Sequence, residues 1–177
     1  MTRLLVTGDR DWTNRSLIYD ILYSLVQSLV ANGEEVIVSH GDAEGADKIA
    51  GWAAIDLSAH YPVKSDPHPA QWYRWDPSKG QNYFFKGAGP ERNDEMLGLK
   101  DPPPSLVLAF HNKLDESKGT KHCVLGAIKR HYNIRLFCEN GLDVTGDPYA
   151  TVFIEPQEGR PNKILEDALH RLHPHSW

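Results

Sequence analysis

The sequence contains only two cysteines, Cys123 and Cys138, among its 177 residues. Small domains stabilised by disulfides carry several cysteine pairs, so two cysteines are too few for a disulfide framework. We therefore expect reduced thiols and a cytoplasmic protein.

Long apolar runs are absent as well. No stretch approaches the roughly 20 consecutive apolar residues that a membrane-spanning helix requires. The apolar residues Leu4, Leu5 and Val6 are followed at once by polar residues, which is too short for the hydrophobic segment of a signal peptide. We expect no membrane association.

An excess of positive charge is also lacking, because 19 Lys and Arg face 24 Asp and Glu, giving a net charge of −5. Such a surface repels polyanions, so the sequence argues against nucleic acid as a partner. A phosphate-bearing ligand would then have to be held by a local site. The sequence leaves both a monomer and a homo-oligomer open.

Strands and helices alternate along the chain. Short apolar runs at 4–6, 36–38, 105–110 and 134–137 predict strands buried on both faces, and a weaker strand is predicted at 61–63. Helical periodicity separates them, so we predict an α/β fold with a mainly parallel sheet. The pattern changes after Gly141, which predicts a domain over 1–140 and a C-terminal strand–helix extension over 141–177.

Glycines follow three of the predicted strands. Ligands of open parallel sheets bind beyond the carboxyl ends of the strands. Glycine lets the backbone approach a ligand, and the free N–H groups of a helix's first turn attract anions. Three such turns at one sheet edge predict a nucleotide-sized site. The candidate ligand-binding residues are Gly8, Asp9 and Arg10, then His40, Gly41 and Gly45, then Lys118, Gly119 and Thr120.

Structural alternatives exist for these residues. Gly8 and Gly41 could simply form tight turns, and Thr120 could cap its helix. His40 is either a hydrogen-bonded core histidine or a site residue. Asp47, in the first turn of a predicted helix, either binds a ribose hydroxyl or complements the helix dipole.

Arg92 falls in the first turn of the helix predicted from Pro90. A cation there opposes the helix dipole, so solvation alone does not explain it. Either a salt bridge with Glu91 or Glu95 holds the guanidinium, or it forms a fork for phosphate or carboxylate.

Residues 66–90 lack clear periodicity but are rich in aromatic side chains, and long segments of this kind are often functional. They predict either a lid or stacking platform for a base, or a satellite hydrophobic cluster under a long loop. The aromatic residues are Trp72, Tyr73, Trp75, Tyr83, Phe84 and Phe85.

Two further motifs are discounted. The full GxxxxGK[ST] spacing is missing around Lys118, which excludes a Walker-type nucleoside triphosphatase. His170, His173 and His175 have metal-like spacing, but Pro174 breaks the helix that would gather them, so we favour a solvated tail. We expect no metal and no cofactor.

Four ordered segments carry a family resemblance: residues 4–12 (LLVTGDRDW), 40–47 (HGDAEGAD), 89–96 (GPERNDEM) and 118–120 (KGT). Together they resemble the YspA-like (YAcAr) branch of the SLOG superfamily. The resemblance implies a Rossmann-like, doubly wound sheet with helices on both faces. It also implies a nucleotide or nucleotide-derived ligand at the carboxyl ends of the strands.

The chain is also distantly similar to the LONELY GUY phosphoribohydrolases. In those enzymes a PGGxGTxxE motif supplies phosphate-binding amides and a catalytic glutamate, and a preceding helix supplies an arginine. Gly119, Thr120 and Arg92 match these elements, but Cys123 stands at the position of the glutamate. Cleavage of an N-glycosidic bond needs a carboxylate. The carboxylates that could substitute from adjacent loops are Asp9, Asp42, Glu44 and Asp47.

Two functions are consistent with this resemblance. The first is a nucleoside 5′-monophosphate N-glycosidase in which Arg92, Asp47 and Asp42 are catalytic. The second is a non-catalytic sensor or sequestering protein for an NAD-derived or other signalling nucleotide. In both, we expect the Gly8 and Gly119 turns to meet phosphate, Arg92 to pair with it, and Asp47 or Asp42 to meet the ribose.

Overall fold

A computed structural model describes residues 1–138. The predicted extension over 141–177 and its histidines lie outside the described residues. In chain order the elements are β1 (Thr2–Gly8), α1 (Arg15–Ala31), β2 (Val36–His40), α2 (Ala46–Ser58), β3 (Val63–Pro67), β4 (Tyr73–Asp76), β5 (Gln81–Phe84), α3 (Ala88–Leu97), β6 (Pro104–Phe110), α4 (Gly119–Lys129) and β7 (Asn133–Phe137).

Five of the strands form one parallel sheet in the order β3-β2-β1-β6-β7. Helices α1 and α2 pack on one face and helices α3 and α4 on the other. The chain runs outward from β1 to β3 and then crosses back to β6, so the strand order reverses between β1 and β6. The predicted α/β, Rossmann-like, doubly wound sheet is confirmed.

The central strand β1 shows why the sequence predicted this sheet. Leu4, Leu5 and Val6 are all fully buried because helices cover both faces. Leu4 and Val6 pack against α1 and α2, whereas Leu5 packs against α3 and α4. The next element, α1, begins directly after Asn14, whose side chain accepts a hydrogen bond from the Leu17 N–H and so caps the helix.

Residues 66–90 contain an antiparallel hairpin, β4–β5, that the sequence did not predict. Its strands have four residues each and none of those residues is buried. Strand periodicity arises from burying one face against a core, and this hairpin buries neither face. The segment therefore lacked the pattern by which the other strands were predicted.

No helix among the described residues is long and apolar enough to cross a membrane.

Gly8 and Gly119 provide a matched pair of substitutions that tests the packing at the sheet edge. A Cβ at Gly8 would lie 2.5 Å from the Ala46 Cβ and 2.6 Å from the Phe110 carbonyl oxygen. We expect Gly8→Ala to lower the free energy of unfolding by about 1–3 kcal/mol, because the neighbouring backbone must shift. A Cβ at Gly119 would have no atom within 4 Å. We therefore expect Gly119→Ala to leave the free energy of unfolding unchanged or to raise it by up to about 1 kcal/mol. Urea denaturation measures both, and equal stabilities would contradict the packing described.

Candidate functional site

A cleft of about 490 Å³ lies at the carboxyl ends of β1 and β6, where the strand order reverses. The end of β1, the first turn of α3 and the first turn of α4 form its walls. Ligands of doubly wound sheets bind at this switch point. The predicted site residues in its lining are Gly8, Asp9, Arg10, Asp47, Arg92, Lys118, Gly119 and Thr120, whereas His40, Gly41, Asp42 and Gly45 are outside it.

Helix α3 begins at Ala88 rather than at the predicted Pro90, so Arg92 lies in its second turn and not in its first. The Arg92 side chain extends toward the loops that follow β2 and β3. Its Nη1 donates to the carbonyl of Gly41 and, at 3.2 Å, to the carbonyl of His68. Its Nε donates to the Asn93 side chain at 3.0 Å. Within the described residues these hydrogen bonds use Nε and Nη1, so the Nη2 donors remain available to a ligand. The Arg92 side chain is 11% exposed.

The salt-bridge alternative for Arg92 is wrong. Glu91 pairs instead with Arg74, and Glu95 forms no salt bridge within residues 1–138. The carboxylate that does approach Arg92 is Asp47, whose Oδ2 lies 3.9 Å from Nη1.

Asp47 is buried in the first turn of α2. Its Oδ1 has no hydrogen-bond partner among residues 1–138. Burial raises the pKa of this carboxyl to about 6, although the charge of Arg92 acts in the opposite direction. A carboxyl that lines a cleft and titrates near neutrality is suited to ligand contact or proton transfer.

His40 lies behind the cleft, in the core. Its Nδ1 accepts a hydrogen bond from the Asp42 N–H at 3.2 Å, and its Nε2 is 3.0 Å from the Ser65 hydroxyl oxygen. The neutral ring therefore carries its proton on Nε2, and burial lowers the pKa of His40. The alternative of a hydrogen-bonded core histidine fits this geometry.

Two of the predicted glycines are required by protein atoms. A Cβ at Gly41 would overlap the Arg92 guanidinium, and a Cβ at Gly45 would overlap the carbonyl oxygen of Asp9. Gly45 also has a φ of +77°, which favours glycine. Close contacts within the protein thus explain Gly41 and Gly45 without a ligand.

The three helix starts expected at the cleft are not equivalent. Helix α1 begins at Arg15, well beyond Gly8. At the start of α2, the N–H of Ala46 already donates to the carbonyl of Asp9. The start of α4 lines the cleft directly, and a Cβ at Gly119 would meet nothing within 4 Å. Of the three helix starts, the start of α4 is therefore the candidate anion site with open space beside its backbone.

The first turn of α4 is capped by Ser117. The Ser117 hydroxyl accepts a hydrogen bond from the Thr120 N–H at 3.1 Å. Thr120 is therefore not the capping residue, and its buried side chain sits in the lining of the cleft.

Asn93 is a cleft residue that sequence reasoning missed. Its Oδ1 accepts from the Arg92 Nε, and its Nδ2 donates to the carbonyl of Gly119 at 3.1 Å. One buried amide thus fixes the guanidinium relative to the start of α4. The sequence feature that could have identified Asn93 as a cleft residue is its position directly after Arg92. Lys86, His111 and Ser117 also line the cleft and were not predicted as ligand contacts. Trp72, one of the aromatic residues for which a stacking platform was one of two alternatives, lines it too.

Cys123, which occupies the expected glutamate position, is fully buried. Burial raises the pKa of its thiol to about 12, so it is neither a general base nor a nucleophile at neutral pH. Within residues 1–138, no three His, Cys, Asp or Glu side chains are grouped so as to share a metal ion.

The fold and the cleft place the chain among the Rossmann-like α/β proteins whose sites lie at the carboxyl ends of the strands. Residues 2–74 match the model of the YspA, cpYpsA-related SLOG family. The chain is 35% identical over 130 residues to the Gene 61 protein of Mycobacterium phage D29, which covers 73% of this chain and 90% of that protein. The chain belongs to the YspA, cpYpsA-related SLOG family. Its likeness to the LONELY GUY hydrolases stays a prediction.

Among solved structures, DNA processing protein A from Helicobacter pylori is similar with a TM-score of 0.47 and 13% identity. The similarity covers 76% of this chain and 64% of that one, less than two thirds of its length, and describes the fold alone. That protein binds single-stranded DNA. The expectation that nucleic acid is not a partner rested on net charge alone and is wrong, because local charge governs binding of a polyanion.

The raised pKa of Asp47 predicts a pH dependence of stability. Between pH 3.8, the ordinary pKa of an aspartate, and about pH 6, its pKa in the folded protein, the native state keeps a proton that the unfolded chain has lost. Asp47 therefore makes stability fall as pH rises through this window. Asp47→Asn removes that contribution, so its unfolding free energy relative to the unmodified protein should rise from pH 4 to 6, by up to about 3 kcal/mol.

Urea denaturation across this pH range tests the prediction. The lowered pKa of His40 makes stability rise with pH, opposite to the effect of Asp47. Because both proteins contain His40, the difference between their unfolding free energies reports Asp47 alone. A difference that does not change with pH would contradict the raised pKa.

Proposed function

We propose that the cleft binds a nucleotide or a nucleotide-derived ligand through its phosphate. The observation that carries this proposal is the linked geometry of Arg92, Asn93 and Gly119. Two backbone carbonyls and one amide hold the guanidinium, and the same amide holds the start of α4. A phosphate between them would receive hydrogen bonds from Nη2 and from the helix start without further ordering of either group.

Neighbouring residues supply the remaining parts of such a site. Lys118 and Arg10 line the cleft and provide positive charge. The Trp72 ring lies beside Arg10 and offers an aromatic surface for a base. We assign the ribose to Asp47 rather than Asp42, because Asp47 has an unpartnered oxygen and Asp42 is outside the lining.

A second candidate function is hydrolysis of the N-glycosidic bond of a nucleoside monophosphate. Water would add across the bond, releasing the free base and ribose 5-phosphate. Asp47 favours this candidate, since its carboxyl lines the cleft and its pKa is about 6. The buried thiol of Cys123 at the glutamate position favours instead a non-catalytic sensor or sequestering protein.

Substitutions at the two phosphate contacts test the binding proposal. We expect Arg92→Gln and Gly119→Asp each to weaken binding of nucleoside monophosphates at least about tenfold, because a charged hydrogen bond contributes about 1.5–3 kcal/mol. Isothermal titration against a panel of monophosphates measures this. Arg130→Gln, at the far end of α4, is the control and should bind normally. Normal binding by both cleft variants would refute the proposal.

Asp47→Asn separates the enzyme from the sensor. If the protein is a hydrolase, incubation with its nucleotide releases free base, and Asp47→Asn lowers that rate at least about a hundredfold, in the range general acid–base catalysis contributes. Binding of the nucleotide should change far less. Mass spectrometry of the reaction, and of molecules released when the purified protein is denatured, detects either result. Recovery of intact nucleotide from the unmodified protein would contradict hydrolysis.

A further inference from the structure

The β4–β5 hairpin carries a row of exposed aromatic side chains. Its register places Tyr73 opposite Phe84 and Trp75 opposite Asn82. Since side chains alternate between the faces of a strand, Tyr73, Trp75 and Phe84 share one face. They are 72%, 61% and 53% exposed, respectively. We call these three residues the aromatic face.

The opposite face anchors the hairpin to the rest of the protein. Arg74 forms an ion pair with Glu91 of α3, and its guanidinium lies 3.9 Å from the centre of the Phe85 ring. Within residues 1–138, the aromatic face is therefore held toward solvent. This geometry disfavours the satellite-cluster interpretation, in which the same rings would be buried.

The aromatic face is continuous with the cleft. Trp72 lines the cleft and stacks on Phe84, with ring centres 5.7 Å apart and planes 9° apart. Tyr73 contacts Phe84 edge-on, also at 5.7 Å. Trp75 is two residues further along the strand on the same face. A row of rings thus leads from the wall of the cleft out along the hairpin.

Cations lie at both ends of this row. Arg10, whose guanidinium is 5.4 Å from the Trp72 ring centre, and Lys86 line the cleft. Lys79 lies in the turn that joins the two strands and is largely exposed. Exposed rings flanked by cations match a single strand of bases joined by phosphates. Base–aromatic stacking of this kind tolerates any sequence.

We infer that the aromatic face extends the cleft into a binding track for single-stranded nucleic acid. One nucleotide occupies the cleft, and the bases that follow it stack along Trp75, Tyr73 and Phe84. The inference rests on the proposed function for that first nucleotide. To that function the inference adds a polymeric ligand and names the residues that would make affinity depend on strand length.

Binding of thymidine oligonucleotides of increasing length, followed by fluorescence anisotropy at low salt, tests the track. The full chain should bind more tightly as the strand lengthens beyond one nucleotide. The double variant Tyr73→Ala/Trp75→Ala should lose at least about tenfold affinity for the longer strands, because each stacked base contributes about 1–3 kcal/mol. Its affinity for thymidine monophosphate should be unchanged.

Tyr83→Ala is the matched control. Tyr83 is in the same hairpin, pairs with Arg74 on the opposite face and is 43% exposed, so its removal should leave oligonucleotide affinity unchanged. Circular dichroism verifies that each variant is folded, and the single variant Trp75→Ala replaces the double variant if that one unfolds.

Three results would overturn the track. The first is an affinity that does not depend on strand length, and the second is an equal loss of oligonucleotide affinity in the double variant and in Tyr83→Ala. The third is normal oligonucleotide binding by a double variant that, in sedimentation, has lost self-association. The last result would make the aromatic face an interface between copies. Oligonucleotide binding that depends on the aromatic face, without monophosphate binding, would keep the track and reject the proposed function of the cleft.

Discussion

The contact between the Arg92 guanidinium and the carbonyl of Gly41 ties α3, which forms one wall of the cleft, to the loop that follows β2. Arg92 also bonds the carbonyl of His68, so a single side chain of α3 joins the loops that follow β2 and β3. A buried cation is costly unless polar groups surround it. Here backbone carbonyls and the Asn93 amide do so, while Asp47 contributes charge at 3.9 Å. The guanidinium is consequently fixed before any ligand arrives.

Glycines around the cleft serve two different physical purposes. Gly8, Gly41 and Gly45 lack side chains because backbone or side-chain atoms of the protein occupy that space. Gly119 borders open space, so nothing in the described protein requires a glycine there. Because of this difference, the start of α4 is the place where a ligand would have room to approach the backbone. All four glycines look alike in the sequence, since each follows a strand.

Charge and exposure at the hairpin show how a local surface can differ from the average. The whole chain has a net charge of −5, yet Arg10, Lys86 and Lys118 meet around one cleft. The aromatic face is presented outward because Arg74 anchors the other side of the hairpin to α3. Stacking requires contact, and attraction between exposed charges is largely screened beyond about 10 Å, so the arrangement of these groups matters more than their totals.

The sequence by itself determined the parallel sheet and its central strand, but not every helix bound, since α3 begins at Ala88 rather than at Pro90. Apolar runs such as 4–6 and caps such as Asn14 are local signals that indicate where a strand or a helix lies. It also determined that Arg92, Asp47 and Gly119 belong at the sheet edge. Only the tertiary structure decided their partners, the burial of His40 and Cys123, and the hairpin. The reason is distance along the chain. Arg92 and Gly41 are 51 residues apart, so their hydrogen bond exists only in the folded protein and no local sequence pattern predicts it.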